Sequence, residues 1–158
     1  MALALFALPA RPGAQDAPAL GADWSGDAPA HIAVVDGTAS LERDGRIAPA
    51  EENVPLLAGD RLRTDKGRVE ILFADGSALD IDEYAAVDFL SDSLLRLRAG
   101  RIRLSITRLT DTLNYRVDAA GASALIRAAG EYRLNVPDQR AADPQLDLAV
   151  IHGTAELS

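Results

Sequence analysis

A glycine followed by apolar residues at the second and fourth positions after it occurs five times between residues 31 and 158. Alternation with a period of two is typical of a strand with one buried face, and a preceding glycine favours a turn because it adopts positive φ at little cost. Five such units predict repeated strands rather than helices. Their glycines are Gly37, Gly67, Gly100, Gly130 and Gly153.

The first and last units are almost copies of each other. Residues 33–41 read AVVDGTASL, and residues 149–157 read AVIHGTAEL. Repeated supersecondary units that bury their faces against one another account for such a similarity. We therefore expect residues 149–157 to form a terminal strand, which could bind a partner by strand addition.

Further short alternations separated by turn residues predict more strands. We also interpret the Ala-rich segment Ser123–Ile126 as a short strand because Gly121 precedes it. The predicted fold is all-β, a β-solenoid-like or twisted β-roll built from glycine-punctuated strands with little or no helix. The other alternating pairs are Leu79 and Ile81, Val87 and Phe89, Leu95 and Leu97, and Tyr115 and Val117.

Composition limits both the core and the chemistry. The chain has 158 residues, enough for about one domain, and its 48% hydrophobic but 4% aromatic content predicts an aliphatic core. No cysteine is present, so disulfides, thiolate metal sites and cysteine nucleophiles are excluded. The net charge of -8 disfavours nucleic acid as a partner.

We divide the chain into three parts. Residues 1–14 are predicted to be an incomplete signal peptide, because the apolar run is too short to span a bilayer and lacks a basic start. Residues 15–30, which include Trp24, read as a linker. Residues 31–158 form the domain, and its strand pattern reaches the last residue, so we expect it to be truncated at the C-terminal end. The sequence contains no transmembrane segment.

Two dipeptides have clear structural roles. Gly59-Asp60 supplies a turn residue and a carboxylate that can accept backbone N–H groups, and Asp75-Gly76 favours a hairpin because both positions tolerate positive φ. We interpret them, like the glycines of the five units, as structural turns. No catalytic or cofactor-binding residue is predicted.

Five carboxylates lie within fourteen residues, and oxygen-rich clusters suit Ca²⁺. Their spacing matches neither an EF-hand nor a nonapeptide calcium repeat, so we favour the solvated face of a half-buried strand and predict no metal site, although the sequence leaves calcium open. No pair among them is identified as the acids of a hydrolase. The residues are Asp75, Asp80, Asp82, Glu83 and Asp88.

Five arginines that alternate with aliphatic residues form the candidate partner-binding site, the Arg stripe. A basic stripe would suit an acidic partner, an anionic glycan or lipid headgroups. We favour instead a solvated face paired with Asp88, Asp92 and Asp111, or a guard on a sheet edge, because opposite charges are plentiful nearby. The stripe consists of Arg96, Arg98, Arg101, Arg103 and Arg108.

The two histidines, His31 and His152, flank the first and last units. If those strands were neighbours, the imidazoles would come close and titrate together. No third metal ligand is evident, and ordinary surface histidine is the favoured interpretation.

Several segments resemble a FecR-type domain. They are residues 34–37 (VVDG), 56–64 (LLAGDRLRT), 67–76 (GRVEILFADG), 97–104 (LRAGRIRL) and 150–157 (VIHGTAEL). The second and third are the most specific, and together the matches span about four fifths of the chain.

Residues 127–136 add a resemblance to stand-alone exported FecR-domain proteins of proteobacteria. The resemblance implies a periplasmic or secreted, all-β domain without catalytic residues or cofactors. It implies a protein-interaction, signalling or envelope-scaffold module whose partner is an envelope protein, such as the signalling domain of a TonB-dependent transporter. Only the extracytoplasmic interaction module of sigma-factor regulators is expected to carry over, because this sequence shows no membrane helix or cytoplasmic segment. A carbohydrate- or cell-wall-binding domain is the alternative, and an acidic hydrolase is a remote one.

Overall fold

The computed structural model describes residues 28–110, 114–119, 121–137 and 145–158. This part of the chain is all-β, as predicted, and contains no helix. The predicted leader, Trp24 and most of the predicted linker lie outside the described residues. The strands are β1 (His31–Arg43), β2 (Arg46–Pro49), β3 (Arg61–Leu72), β4 (Ala78–Ile81), β5 (Ala86–Phe89), β6 (Leu94–Ile106), β7 (Arg116–Ala119), β8 (Ala122–Ile126), β9 (Gly130–Val136), β10 (Asp147–His152) and β11 (Ala155–Leu157).

Three of the repeated glycines lie inside long strands, which corrects the expectation that each glycine is a turn preceding a strand. Gly37 lies within β1, Gly67 within β3 and Gly100 within β6. Gly37 and Gly67 face each other in register, and a Cβ added to Gly67 would lie 2.5 Å from the backbone nitrogen of Thr38. These glycines are required where backbones approach too closely for a side chain.

The buried side of each long strand changes at its glycine. In β6, Leu95 and Leu97 are buried before Gly100, whereas Ile102 and Leu104 are buried after it. A regular strand would turn these two pairs to opposite faces, because side chains alternate with a period of two. The irregularity at the glycine lets both parts of the strand face a single core.

The long strands therefore contribute to two half-sheets. In the first, the order is β2, the C-terminal part of β1, the N-terminal part of β3, β5, the N-terminal part of β6, β7, β8 and β11. In the second, the order is the N-terminal part of β1, the C-terminal part of β3, β4, the C-terminal part of β6, β9 and β10.

Neighbouring strands are antiparallel except β6 and β7. Strands β3, β4, β6 and β5 close a small barrel, because β4 and β5 each pair with both long strands. The remaining strands extend from this barrel, and the strand order does not establish a solenoid or a roll.

The core between the half-sheets is mainly aliphatic, in agreement with the composition. Its aromatic members are Phe73, Phe89, Tyr115 and Tyr132. Ser123–Ile126 lies in β8, which confirms the predicted short strand. The expected terminal strand over residues 149–157 is two strands, β10 and β11, because the chain turns between half-sheets at Gly153. The part of the chain that the structure describes has no helix able to cross a bilayer.

Candidate functional site

The Arg stripe is divided between two surfaces. Arg96 and Arg98 lie before Gly100 in β6, and Arg101 and Arg103 follow it. Because the buried side of the strand changes at Gly100, the first two arginines lie on the outer face of the first half-sheet and the other two on that of the second. Arg108 is exposed beyond the end of β6. The five arginines therefore do not share one face.

On the first half-sheet, Arg98 belongs to an ion-pair cluster around Asp88. The Arg98 Nε lies 2.6 Å from Asp88 Oδ2, and Arg61 donates to the other carboxylate oxygen. Burial would raise the pKa of Asp88, but the hydrogen bonds from the two arginines outweigh it and hold the pKa below its ordinary value. Asp88 is thus a buried anion that orients two arginines.

On the second half-sheet, Arg101 and Arg103 line a shallow groove of about 470 Å³. The Arg103 Nε donates to Asp80 at 3.0 Å, and Arg101 lies 3.5 Å from an oxygen of Asp82. Arg68 also donates to Asp82, at 2.8 Å. The charged residues of this groove are four arginines and four carboxylates: Arg68, Arg101, Arg103, Arg133, Asp36, Glu70, Asp80 and Asp82.

The groove is consequently a mixed-charge surface rather than a basic one. Cross-strand pairing places Glu70 opposite Asp80, Asp80 opposite Arg103, and Arg103 opposite Arg133. Exposed ion pairs of this kind contribute little to stability and do not leave a free positive field for an anionic ligand.

The predicted acidic cluster is dispersed across the structure. Asp80 and Asp82 pair with arginines in the groove, whereas Asp88 pairs on the other half-sheet. Asp75 accepts from the N–H and hydroxyl of Ser77 within the hairpin between β3 and β4. The described residues contain no group of three His, Asp or Glu side chains that could hold a metal ion.

The Gly59-Asp60 dipeptide forms a buried anchor. Gly59 has a φ of +97°, and the Asp60 side chain is 1% exposed. Its two oxygens accept from Nε and Nη2 of Arg43 at 2.8 and 2.6 Å, and one of them also accepts from the Leu57 N–H at 2.8 Å. The hydrogen bond with Asp60 raises the pKa of Arg43. The sequence predicted that the Asp60 carboxylate accepts from backbone N–H groups, but it did not predict the pairing with Arg43, which lies 17 residues away along the chain.

The Asp75-Gly76 hairpin is also tied to the core. The Tyr115 hydroxyl donates to Asp75 Oδ1 at 3.1 Å, and its ring packs edge-on against Phe73 with centroids 5.2 Å apart. Burial raises the pKa of Tyr115, and the adjacent Asp75 raises it further. These contacts give the motif a structural role.

The two histidines lie at opposite edges of the second half-sheet. His31 begins β1 and His152 ends β10, with β3, β4, β6 and β9 between those strands. At about 4.8 Å per strand, the path along the curved sheet from β1 to β10 is roughly 24 Å. The first and last units are therefore not neighbours, and the histidines do not form a pair.

The outermost strands, β10 and β11, form an exposed apolar edge. Val150 is 43% exposed, Ile151 44% and Leu157 54%. β10 pairs with β9 and β11 pairs with β8, and no other described strand pairs with either. The sequence pattern predicted strands here, but alternation alone predicted that Leu157 would be buried. We call this surface, residues 147–157, the C-terminal edge.

Comparison with protein families gives one match. The model of the family described as FecR protein matches residues 60–156, from the Asp60 anchor to β11. No curated protein and no solved structure matches the chain. Because the family match covers more than half of the chain, this protein belongs to the FecR family.

Proposed function

We propose that this protein is a non-catalytic, extracytoplasmic module for signalling or envelope scaffolding that binds a partner protein through its C-terminal edge. The observation that carries the proposal is the exposure of Val150, Ile151 and Leu157 along strands with no described neighbour on one side. Unpaired edge strands accept added strands, and exposed aliphatic side chains provide the apolar contact. FecR membership suggests a signalling role.

The partner that the family suggests is an envelope protein, with the signalling domain of a TonB-dependent transporter as the specific candidate. The mixed charges of the groove and the Arg98–Asp88 cluster favour structural roles for the arginines. The Arg stripe is therefore a secondary candidate for binding.

Asp88 and Asp118 are not suited to act as general acids. A general acid needs a raised pKa at neutral pH. Two described carboxylates, Asp88 and Asp118, instead have lowered pKa values, because hydrogen bonds to them outweigh the effect of burial. Both are suited to holding arginines, not to proton transfer.

Calorimetric titration with purified transporter signalling domains from the same genome tests the proposal. We expect one of them to bind the full chain, and the double variant Ile151→Ser/Leu157→Ser to bind at least 10-fold more weakly. Ile47→Ser is the matched control, because Ile47 is 68% exposed on β2 at the other end of the first half-sheet. Equal binding by the double variant would refute binding through the C-terminal edge. If no signalling domain binds the full chain, this class of partner is refuted.

Export is tested separately by releasing the periplasmic contents of cells that express the full-length gene. We expect the protein in the released fraction. Its retention with cytoplasmic markers would contradict an extracytoplasmic role.

A carbohydrate- or cell-wall-binding role is the second candidate. It is favoured by Tyr84, which is 57% exposed beside the mixed-charge groove and adopts a φ of +57°. Phe89, Tyr115 and Tyr132 are buried, which leaves one aromatic platform among these four. Sedimentation with purified peptidoglycan distinguishes the two roles. A cell-wall-binding role would be favoured if Tyr84→Ser abolished binding to peptidoglycan and the double variant Ile151→Ser/Leu157→Ser retained it.

A further inference from the structure

The first and last units of the repeat have the same construction but different surroundings. Residue 37 of the first corresponds to residue 153 of the last, so that Leu41 corresponds to Leu157. β1 pairs along its whole length with β3, and β10 and β11 pair in the same antiparallel sense with β9 and β8. In both units the central glycine lies close to a glycine of the neighbouring strand. In the last unit, a Cβ added to Gly130 would lie 3.0 Å from the Cα of Gly153.

The opposite side of β1 is covered by the segment that follows it, residues 46–56. β2 pairs with residues 40–43, and the chain then continues along β1. The Ala50 N–H donates to the Ala39 carbonyl at 3.0 Å, and Ile32 exchanges hydrogen bonds with the Asn53 N–H and the Val54 carbonyl, at 2.8 and 3.0 Å.

This covering segment also contributes to the core. Ala50 is buried, Leu56 is buried at 3% exposure, and Val54 packs against the core. The Leu56 N–H donates to the Ala30 carbonyl at 2.7 Å, which completes the cover. The segment 46–56 therefore closes the end of the two half-sheets over Ile32 and Leu41.

The last unit has no such cover among the described residues. Leu41 is 9% exposed, but Leu157 at the same position of the repeat is 54% exposed. Ile32 is fully buried, whereas its counterpart Leu148 is only partly buried. Leu41 and Ile32 are more buried than Leu157 and Leu148 because residues 46–56 cover the first unit and no described segment covers the last, whereas Val34 and its counterpart Val150 are equally exposed, at 44% and 43%.

We propose that the C-terminal edge binds an extended segment of a partner protein in the way that residues 46–56 lie along β1. This inference rests on the proposed function and specifies its binding mode. The backbone groups equivalent to those of Ala39 and Ile32 are the carbonyl of Ala155 and the N–H and carbonyl of Leu148. They pair with the added segment, which runs antiparallel to β10 and β11.

The chemistry of that segment follows from the repeat and from charge. It carries a small residue and two aliphatic residues at the positions of Ala50, Val54 and Leu56, so that it covers Leu148 and Leu157. Residues 145–158 contain Asp147 and Glu156 and no Lys or Arg. Glu156 already pairs with Arg127 at 2.6 Å, whereas the Asp147 carboxylate accepts from the Asn135 side-chain amide and has no cationic partner among the described residues. The outward positions of the partner segment are accordingly neutral or basic, because a basic side chain complements Asp147.

A fusion protein tests this inference. A copy of residues 43–56 is added directly after Ser158 of the full chain, so that the turn at Asp44 and Gly45 returns the added segment along the edge. Lys replaces the copies of Glu51 and Glu52 to complement the edge. The matched control carries the same tail with Ser in place of the copies of Ala50, Val54 and Leu56.

We expect the first fusion to unfold at a midpoint about 5 °C above the control, and amide exchange at Leu148 to slow at least 10-fold. The docked tail should also weaken binding of the transporter signalling domain at least 10-fold, while the control fusion binds like the unmodified chain. An unchanged midpoint and unchanged exchange at Leu148 would overturn the inference. So would undiminished partner binding by a fusion whose tail is docked.

Two outcomes separate this inference from the proposed function. If the tail docks but neither the unmodified chain nor the control binds any signalling domain, the edge accepts a segment and the proposed class of partner is wrong. If sedimentation shows a dimer of the unmodified chain that the docked tail dissociates, the occupant is a second copy, and the assignment to a partner protein is overturned.

Discussion

Removal of the Asp60 carboxylate should destabilise the fold more than removal of any exposed carboxylate. The Asp60→Ala substitution deletes three hydrogen bonds, two from Arg43 and one from the Leu57 N–H. Deleting one member of a buried ion pair costs about 3–5 kcal/mol, because the other charge is left without its partner. Arg43 is 34% exposed and regains some hydration, so we expect a loss near the lower end, about 3 kcal/mol.

A loss of that size lowers the midpoint of thermal unfolding by about 10 °C for a chain of this length. Asp82→Ala is the matched control. Asp82 also contacts two arginines, but those side chains, Arg68 and Arg101, are 69% and 62% exposed. Exposed pairs contribute about 0–1 kcal/mol, so the control should shift the midpoint by no more than about 4 °C.

Urea unfolding followed by far-ultraviolet circular dichroism measures both free energies. A double-mutant cycle of Asp60→Ala with Arg43→Ala should give a coupling energy above about 1.5 kcal/mol. Equal destabilisation by the Asp60 and Asp82 variants, or a coupling energy near zero, would refute the view that the FecR motif residue Asp60 anchors the fold through Arg43.

Three further predictions follow from buried groups. The pKa of Asp88 is lower in the folded protein than in the unfolded chain, where it is near 4. The ionised carboxylate therefore adds stability above pH 4, and this stability is lost as the pH falls through the pKa of the folded state. The urea midpoint of Asp88→Asn should accordingly depend less on pH below 4 than that of the unmodified protein. Gly67→Ala should lower the free energy of unfolding in urea by at least about 2 kcal/mol, because the added Cβ would collide with backbone atoms. Gly45→Ala, whose Cβ would meet no atom within 4 Å, should cost only the roughly 1 kcal/mol of its positive φ. Similar losses for the two variants would contradict the close-approach explanation. Tyr132→Phe removes the hydroxyl that accepts from the Thr154 N–H at 3.0 Å, so amide exchange at Thr154 should accelerate at least 5-fold, and unchanged exchange would show that water replaces the contact.

Much of the local structure could be predicted from residue patterns. Alternation identified β4, β5 and β9, the position of Gly121 identified β8, and the dipeptide Asp75-Gly76 identified the hairpin between β3 and β4. The glycine units were identified but partly misinterpreted. A glycine needed for close approach within a strand and a glycine needed for a turn give the same sequence pattern, and the chain alone does not distinguish them.

The candidate sites were less predictable because they depend on register between distant segments. The Arg stripe was expected as one feature, but the change of the buried side at Gly100 sends Arg98 and Arg101 to different half-sheets. The pairing of Arg43 with Asp60 and the separation of His31 from His152 likewise follow from which strands are neighbours. Long-range pairing sets those relations, and local propensity does not encode them.

The sequence by itself determined an aliphatic, all-β domain with repeated units, because period-two alternation and glycine placement act over a few residues. It also indicated that the first and last units are almost copies of each other. Only the tertiary structure decided that these units lie at opposite edges, one covered by residues 46–56 and the other without such a cover among the described residues. Identical patterns therefore acquired different burial, since the exposure of Leu41 or Leu157 depends on which segment lies beside its strand.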